Sequence, residues 1–245
     1  MAINHPRVQV NSANESLWLA LAQLSRDVSI NKWAIIGGQM VQMHASLANT
    51  IWPRITTDGD IAVDIRTHTR SAIKEVAHSL LQNGFQIKTS ADGISRFEKH
   101  DAKIDLLAPE GLGARGIETI RGSYAIQAPG VTQALQRTIV IEVQCLSECV
   151  LIRIPTLVSA AIIKAAASTE IPSISIEDRL RHQVDYVFLL RLLSEQDLIE
   201  IATDLTVRDK ERLTRAAAPI ITNRNHPALQ DNAADISYVL RVLTR

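Results

Sequence analysis

Apolar residues recur along this chain with two periods, and the switches between them mark out its elements. Ser12 to Glu15 can form a capping box, and Leu17, Leu21 and Leu24 follow at helical spacing, which predicts a helix over 13–28. Trp33 to Ile36 is a continuous apolar run of strand length. Gly37-Gly38 breaks it, and Met40, Val41, His44 and Leu47 predict a helix over 39–47. Trp52-Pro53-Arg54 reads as loop. From Asp58 the period becomes two. If Asp58 to Ile65 is extended, Asp58, Asp60 and Asp64 line one face and Ile61, Val63 and Ile65 the other. Helical spacing returns over Ser71–Asn83, with Gly84 as its stop.

Phe85 to Lys88 reads as a short strand. Ser95–Lys99 and Lys103–Leu107 read as a hairpin joined through His100-Asp101-Ala102. Residues 108–137 are rich in Gly and Pro and yield only a helical piece around Val131 to Arg137. Thr138–Gln144 and Val150–Ile154 predict a strand pair with Leu146 to Cys149 around its turn. After Pro155 only helical patterns remain, over 156–168, 176–193, 195–203, 207–219 and 230–243. The expected class is therefore α+β. A mixed sheet flanked by helices fills residues 1–155, and an all-helical part, 156–245, packs on it.

Composition narrows the classes. At 245 residues with 46% hydrophobic and 4% aromatic content, the core must be mostly Leu, Ile, Val and Ala. Basic and acidic residues balance at 26 each, and balance again on either side of Leu151. Bulk charge thus argues neither for nor against a nucleic-acid partner, and such a contact would need a local patch. Arg179, Arg181 and His182 are the candidate; the alternative is a solvated helix end. The N-terminus has no charged leader before an apolar stretch, and the apolar runs are too short and interrupted to span a bilayer, so a cytoplasmic protein without membrane contact is expected. Cys145 and Cys149 lack a second ligand pair, which argues against zinc.

The chemistry concentrates in residues 33–65. Two carboxylates on one strand face, about 7 Å apart, repel each other, and burying them without a cation is costly. Thr57-Asp58-Gly59-Asp60 could alone be a surface turn. A further acid, Asp105, lies amid Ile104, Leu106 and Leu107 in the later hairpin. Three carboxylates from neighbouring strands, Asp58, Asp60 and Asp105, could hold two divalent ions, which decides for a metal site. Asp64 is a secondary candidate. Gly37 and Gly38 either let a phosphate approach the N–H groups at a helix start or form an ordinary turn. His44 reads as packing rather than catalytic.

Gly-Gly, a helix, Thr-Asp-x-Asp at a strand start and an isolated Asp on a later strand together resemble the nucleotidyltransferase superfamily of polymerase-β-like fold. The long interval from Gly38 to Asp58 and Arg54-x-Thr56 before the acids are similar to the AbiEii-type toxin nucleotidyltransferases of type IV toxin–antitoxin systems. That resemblance covers roughly residues 30–193, with Lys164 in Ile162-Ile163-Lys164-Ala165 and Asp185 in Arg181-His182-Gln183-Val184-Asp185 matching the family's later lysine and aspartate. It implies Mg²⁺ or Mn²⁺ on Asp58, Asp60 and Asp105. It also implies a nucleoside triphosphate held by Gly37, Gly38, Arg54, Thr57 and Lys164, with Asp185 orienting Lys164 or contacting the nucleotide.

The implied reaction moves a nucleoside monophosphate to an acceptor hydroxyl, such as the 3′ end of a tRNA, with a cognate antitoxin as partner. A small-molecule adenylyltransferase and an inactive nucleotide-binding regulator are the alternatives. The residues have plainer readings too. Lys164 and Asp185 can form a mutual ion pair, and Arg54 can cap its loop. Gly59 replaces the family's usual apolar residue and would loosen the strand, which favours the inactive reading. The region beyond Leu193 does not match.

Overall fold

The computed structural model describes residues 5–10, 14–52, 54, 56–68, 71–89, 95–112, 117–120, 122–145, 148–223 and 225–229, with Ile236 and Val239. The chain mixes helices and sheets and divides into two compact units, Met1–Pro155 and Thr156–Arg245.

In chain order the first unit contains β1 (Arg7–Gln9), α1 (Glu15–Asp27), β2 (Trp33–Ile36), α2 (Gly37–Leu47), β3 (Asp58–Val63) and α3 (Ser71–Gln82). It continues with β4 (Gln86–Thr89), β5 (Ser95–Lys99), β6 (Ala102–Pro109), β7 (Ile117–Ile120) and β8 (Ser123–Ala128), then α4 (Val131–Gln136), β9 (Thr138–Cys145) and β10 (Glu148–Pro155). The larger sheet runs β2-β3-β6-β5-β4, with β8 pairing the end of β6 and β7 pairing β8. β3 is antiparallel to β2 and parallel to β6. β1, β9 and β10 form a separate three-stranded sheet.

Alternation divides the larger sheet into two unlike faces. Trp33, Ile35, Ile61, Val63, Phe97, Ile104 and Leu106 join one core with Leu17, Trp18, Leu21 and Leu24 of α1 and Ile73, Val76, Ala77 and Leu80 of α3. Each helix buries one stripe, as its 3.6-residue apolar period requires. Asp58, Asp60 and Asp105 alternate with these core residues, so their carboxylates fall on the opposite face.

The described elements depart from the sequence expectations in places. The first helix is described from Glu15, and position 13 of its expected start lies outside the described residues. Ser12 of the expected capping box lies outside the described residues, and Asn14, the N-cap, makes no side-chain cap bond. β3 ends at Val63, so Asp64 does not share the strand with the other acids. Its carboxylate instead accepts Thr67 N–H at 3.0 Å and faces the buried Arg153 guanidinium at 3.7 Å. Strands β1, β7 and β8 were not expected at all.

The second unit contains α5 (Leu157–Glu170), α6 (Ile176–Arg191), α7 (Glu195–Asp204) and α8 (Val207–Thr222). Hydroxyls start all four helices: Thr156, Ser175, Ser194 and Thr206 each accept a backbone N–H of the first turn. The helix expected over 230–243 lies outside the described residues except for Ile236 and Val239, which are helical. Among the described residues no helix is long and apolar enough to cross a membrane.

Candidate functional site

The order β2–glycines–α2–β3 places the acids. β2 runs directly into α2, whose first residue, Gly37, has φ +70. Only glycine adopts that region without strain. The close approach is equally demanding, because a Cβ on Gly37 would fall 1.7 Å from Asp60 Oδ2. The Gly37 backbone therefore lies directly against the Asp60 carboxylate. A Cβ on Gly38 would meet Thr56 Oγ1 at 2.7 Å.

The segment leading into β3 is fixed by one carbonyl. Thr56 O accepts from Asn14 Nδ2 at 2.6 Å and from Gln39 Nε2 at 3.0 Å, and both amides are buried. Two helix starts, α1 and α2, thus hold the backbone two residues before Asp58. His44, further along α2, packs with its Nε2 3.0 Å from Pro155 O. Thr57 is exposed, and its hydroxyl donates to Asp58 Oδ1 at 3.5 Å. Arg54 stacks its guanidinium 4.6 Å from the centroid of the Trp52 ring.

Asp60 pairs in register with Asp105 across the parallel β3–β6 ladder, and Asp58 with Lys103. The third acid therefore stands beside the second on the same face. Two such charges about 5 Å apart repel by about 3 kcal/mol at an effective dielectric of about 20. The compensating charge comes from Arg96, which pairs with Asp105 across the antiparallel β5–β6 ladder. Its Nε and Nη2 donate to Asp105 Oδ1 and Oδ2 at 2.9 and 2.6 Å, a two-pronged bond. Its Nη1 lies 3.9 Å from Asp58 Oδ2. Arg96 is held more firmly protonated than an ordinary arginine, first by the bonds to Asp105, against desolvation, with the charges of Asp105, Asp58 and Asp60 adding to them.

An all-carboxylate oxygen set suits Mg²⁺ or Mn²⁺. Both oxygens of Asp105 are engaged by Arg96, and Asp58 faces the same guanidinium. Among the described residues no three His, Cys, Asp or Glu side chains are grouped to hold a metal ion. Gly59 pairs in register with Ile104 and faces the core, where Leu17 fills the space of a side chain.

Lys164 and Asp185 belong to the helical unit. They form an ion pair of 2.7 Å between α5 and α6, with side-chain exposures of 3% and 0%. The ammonium thus meets one of the two anions considered for it. Arg181 pairs with Glu177 and with Asp178, the latter at 3.2 Å, so its charge is balanced on its own helix turn. Of the two readings of Arg179, Arg181 and His182, the solvated helix end holds at Arg181. A cavity of about 350 Å³ opens beside α1, lined by Ser16, Leu19, Gln23, Phe85, Lys99 and His100 among others, and includes none of the acids.

Sequence reasoning missed Arg96, because a hairpin joined through His100-Asp101-Ala102 sets it against Leu106. The strands instead turn through His100-Asp101 alone, which sets Lys99 against Ala102 and Arg96 against Asp105. The amide pair on Thr56 O had no local signal. Compared with protein-family models the chain matches none, and no curated protein matches it.

Proposed function

We propose that the chain is a metal-dependent nucleotidyltransferase that moves a nucleoside monophosphate from a nucleoside triphosphate to an acceptor hydroxyl. One observation carries this reading. Asp60 is bracketed by the Gly37 backbone on one side and by Asp105, its register partner, on the other. A glycine helix start can receive phosphate oxygens, and here it adjoins carboxylates that can receive a divalent cation, so both parts of a metal–triphosphate substrate have a place.

Asp58 and Asp60 would hold Mg²⁺ or Mn²⁺, which when bound neutralises phosphate charge. The N–H groups at the start of α2 bind phosphate oxygens and orient the α-phosphorus. The acceptor oxygen attacks that phosphorus, the bond to the bridging oxygen breaks, and pyrophosphate leaves with the electron pair. Asp105, once released by Arg96, would complete the metal site and take the acceptor proton. The resemblance described above extends the proposal to an RNA acceptor, such as the 3′ end of tRNA, and to a cognate antitoxin. A second reading, nucleotide binding without turnover, draws on the engagement of both Asp105 oxygens by Arg96.

Incubation with labelled nucleoside triphosphates, Mg²⁺ and total RNA separates these readings. Label transfer to RNA that Asp60→Ala abolishes supports the proposal. Transfer to a metabolite extract alone replaces the RNA acceptor with a small molecule. Nucleotide binding with no transfer to RNA, protein or metabolite sinks the enzyme reading.

A further inference from the structure

We propose that Arg96 is a positioning residue that competes with the divalent cation for Asp105. Without the cation the guanidinium holds the carboxylate, and loading of the site passes that carboxylate from arginine to metal. The inference rests on the metal-dependent reading and goes beyond it, because Arg96 lies outside every motif that suggested that reading.

The geometry sets the two in competition. A two-pronged arginine occupies lone pairs on both carboxylate oxygens, the atoms a metal would use. Arg96 reaches Asp105 through Nε and Nη2 and leans toward Asp58 through Nη1. It therefore lies among the acids as their resident positive charge. A divalent ion on Asp58 and Asp60 would face this guanidinium at close range, and like charges so placed favour release of the one that can move. Arg96 can move: its side chain is 40% exposed, whereas that of Asp105 is 11% exposed. The carboxylate stays fixed while its partner changes. Lys103, the register partner of Asp58 and Glu98, lies one pleat away and is exposed, so it does not replace Arg96 on Asp105.

A plain structural role predicts something different. If Arg96 only fastens β5 to β6, its removal weakens the sheet and leaves metal affinity unchanged or lower.

Mn²⁺ titration of the full chain by calorimetry distinguishes the two. Arg96→Gln is expected to bind Mn²⁺ at least about tenfold more tightly than the wild type, the scale on which an adjacent arginine shifts proton binding to a carboxylate. Arg96→Lys, which keeps the charge but loses the fork, falls between. In an Asp105→Asn background the gain from Arg96→Gln largely disappears, because the contested carboxylate is absent. The proposal is overturned if Arg96→Gln binds no tighter, or if the gain persists without Asp105. A separate failure is recognisable: if neither the wild type nor Arg96→Gln binds Mn²⁺ in a manner lost with Asp60→Asn, the metal-dependent reading itself falls. The wild type gives an independent measurement. The Arg96 Nε–H resonance, assigned by its absence from Arg96→Lys, should move to the position of a solvent-exposed arginine as Mg²⁺ is added. A resonance unmoved at Mg²⁺ saturation overturns the exchange.

Discussion

Gly59 is glycine because of Leu17: a Cβ at position 59 would lie 2.7 Å from Leu17 Cδ1 and 3.5 Å from Ile104 Cγ1. The residue between the two acids thus points into the core, where the first turn of α1 rests on the sheet. A strand glycine without packing would weaken β3 through backbone entropy. Here the missing side chain is replaced by a leucine methyl from the adjoining layer, and Leu17 itself is 1% exposed.

This pairing predicts non-additive stability. Gly59→Ala should destabilise by about 1–3 kcal/mol through overpacking, and Leu17→Ala by about 2–5 kcal/mol through a cavity. In the double variant the new methyl enters the space that Leu17 vacates, so its cost should fall below the sum. Urea unfolding of the three variants measures this coupling. Strict additivity would show that the two residues do not share the space.

Gly37 is constrained twice, by φ and by Asp60, and the two constraints can be separated. Gly122 has φ +78 with nothing within 4 Å of a built Cβ. Gly122→Ala should therefore cost only the left-handed backbone penalty, about 1–2 kcal/mol. Gly37→Ala should cost more, and should lower the proposed nucleotidyl transfer about a hundredfold by displacing Asp60. Equal stability losses, with activity kept in Gly37→Ala, would remove Gly37 from the site.

Why the acids were readable and their surroundings were not follows from distance along the chain. Asp58, Asp60 and the apolar residues between them alternate within six positions, and β6 repeats the pattern around Asp105. Local periodicity was enough. Asp64 misled because Ile65 continues the apolar alternation although the backbone has already turned. Its partner Arg153 is remote in sequence, and nothing near position 64 announces that contact. Asn14 and Gln39 converge on Thr56 from 42 and 17 residues away, beyond the reach of any local pattern. β7 and β8 were lost among the glycines and prolines of 108–137, where short strands leave too few residues for a period to show.

The Lys164–Asp185 pair predicts an asymmetry between single and double replacement. Both side chains are buried, so removing one leaves an uncompensated charge. Lys164→Met or Asp185→Leu alone should cost about 3–5 kcal/mol. The double variant replaces the ion pair with apolar groups and should recover most of that loss. Thermal unfolding of the full chain reads the difference. A double variant as unstable as the sum of the singles would mean that each residue is held by other partners.

The fork between Arg212 and Glu170 gives the helical unit a pH dependence whose sign is fixed. Arg212 Nε and Nη2 donate to Glu170 Oε1 and Oε2 at 2.8 and 2.9 Å, with Arg212 1% exposed. The Arg212 hydrogen bonds hold the Glu170 carboxyl below its ordinary value, against desolvation, and the charges of Arg212, Arg208 and Arg215 reinforce them. A carboxyl depressed in the folded state contributes stability above its unfolded value, about pH 4.3 for glutamate, and loses it as the pH falls through the folded value. The stability gap between the wild type and Glu170→Gln should therefore be constant from neutral pH down to about pH 5 and shrink below it. Unfolding free energies measured at a series of pH values test this. A gap that stays flat through the acid range would show that Glu170 gains nothing from its charge in the folded state.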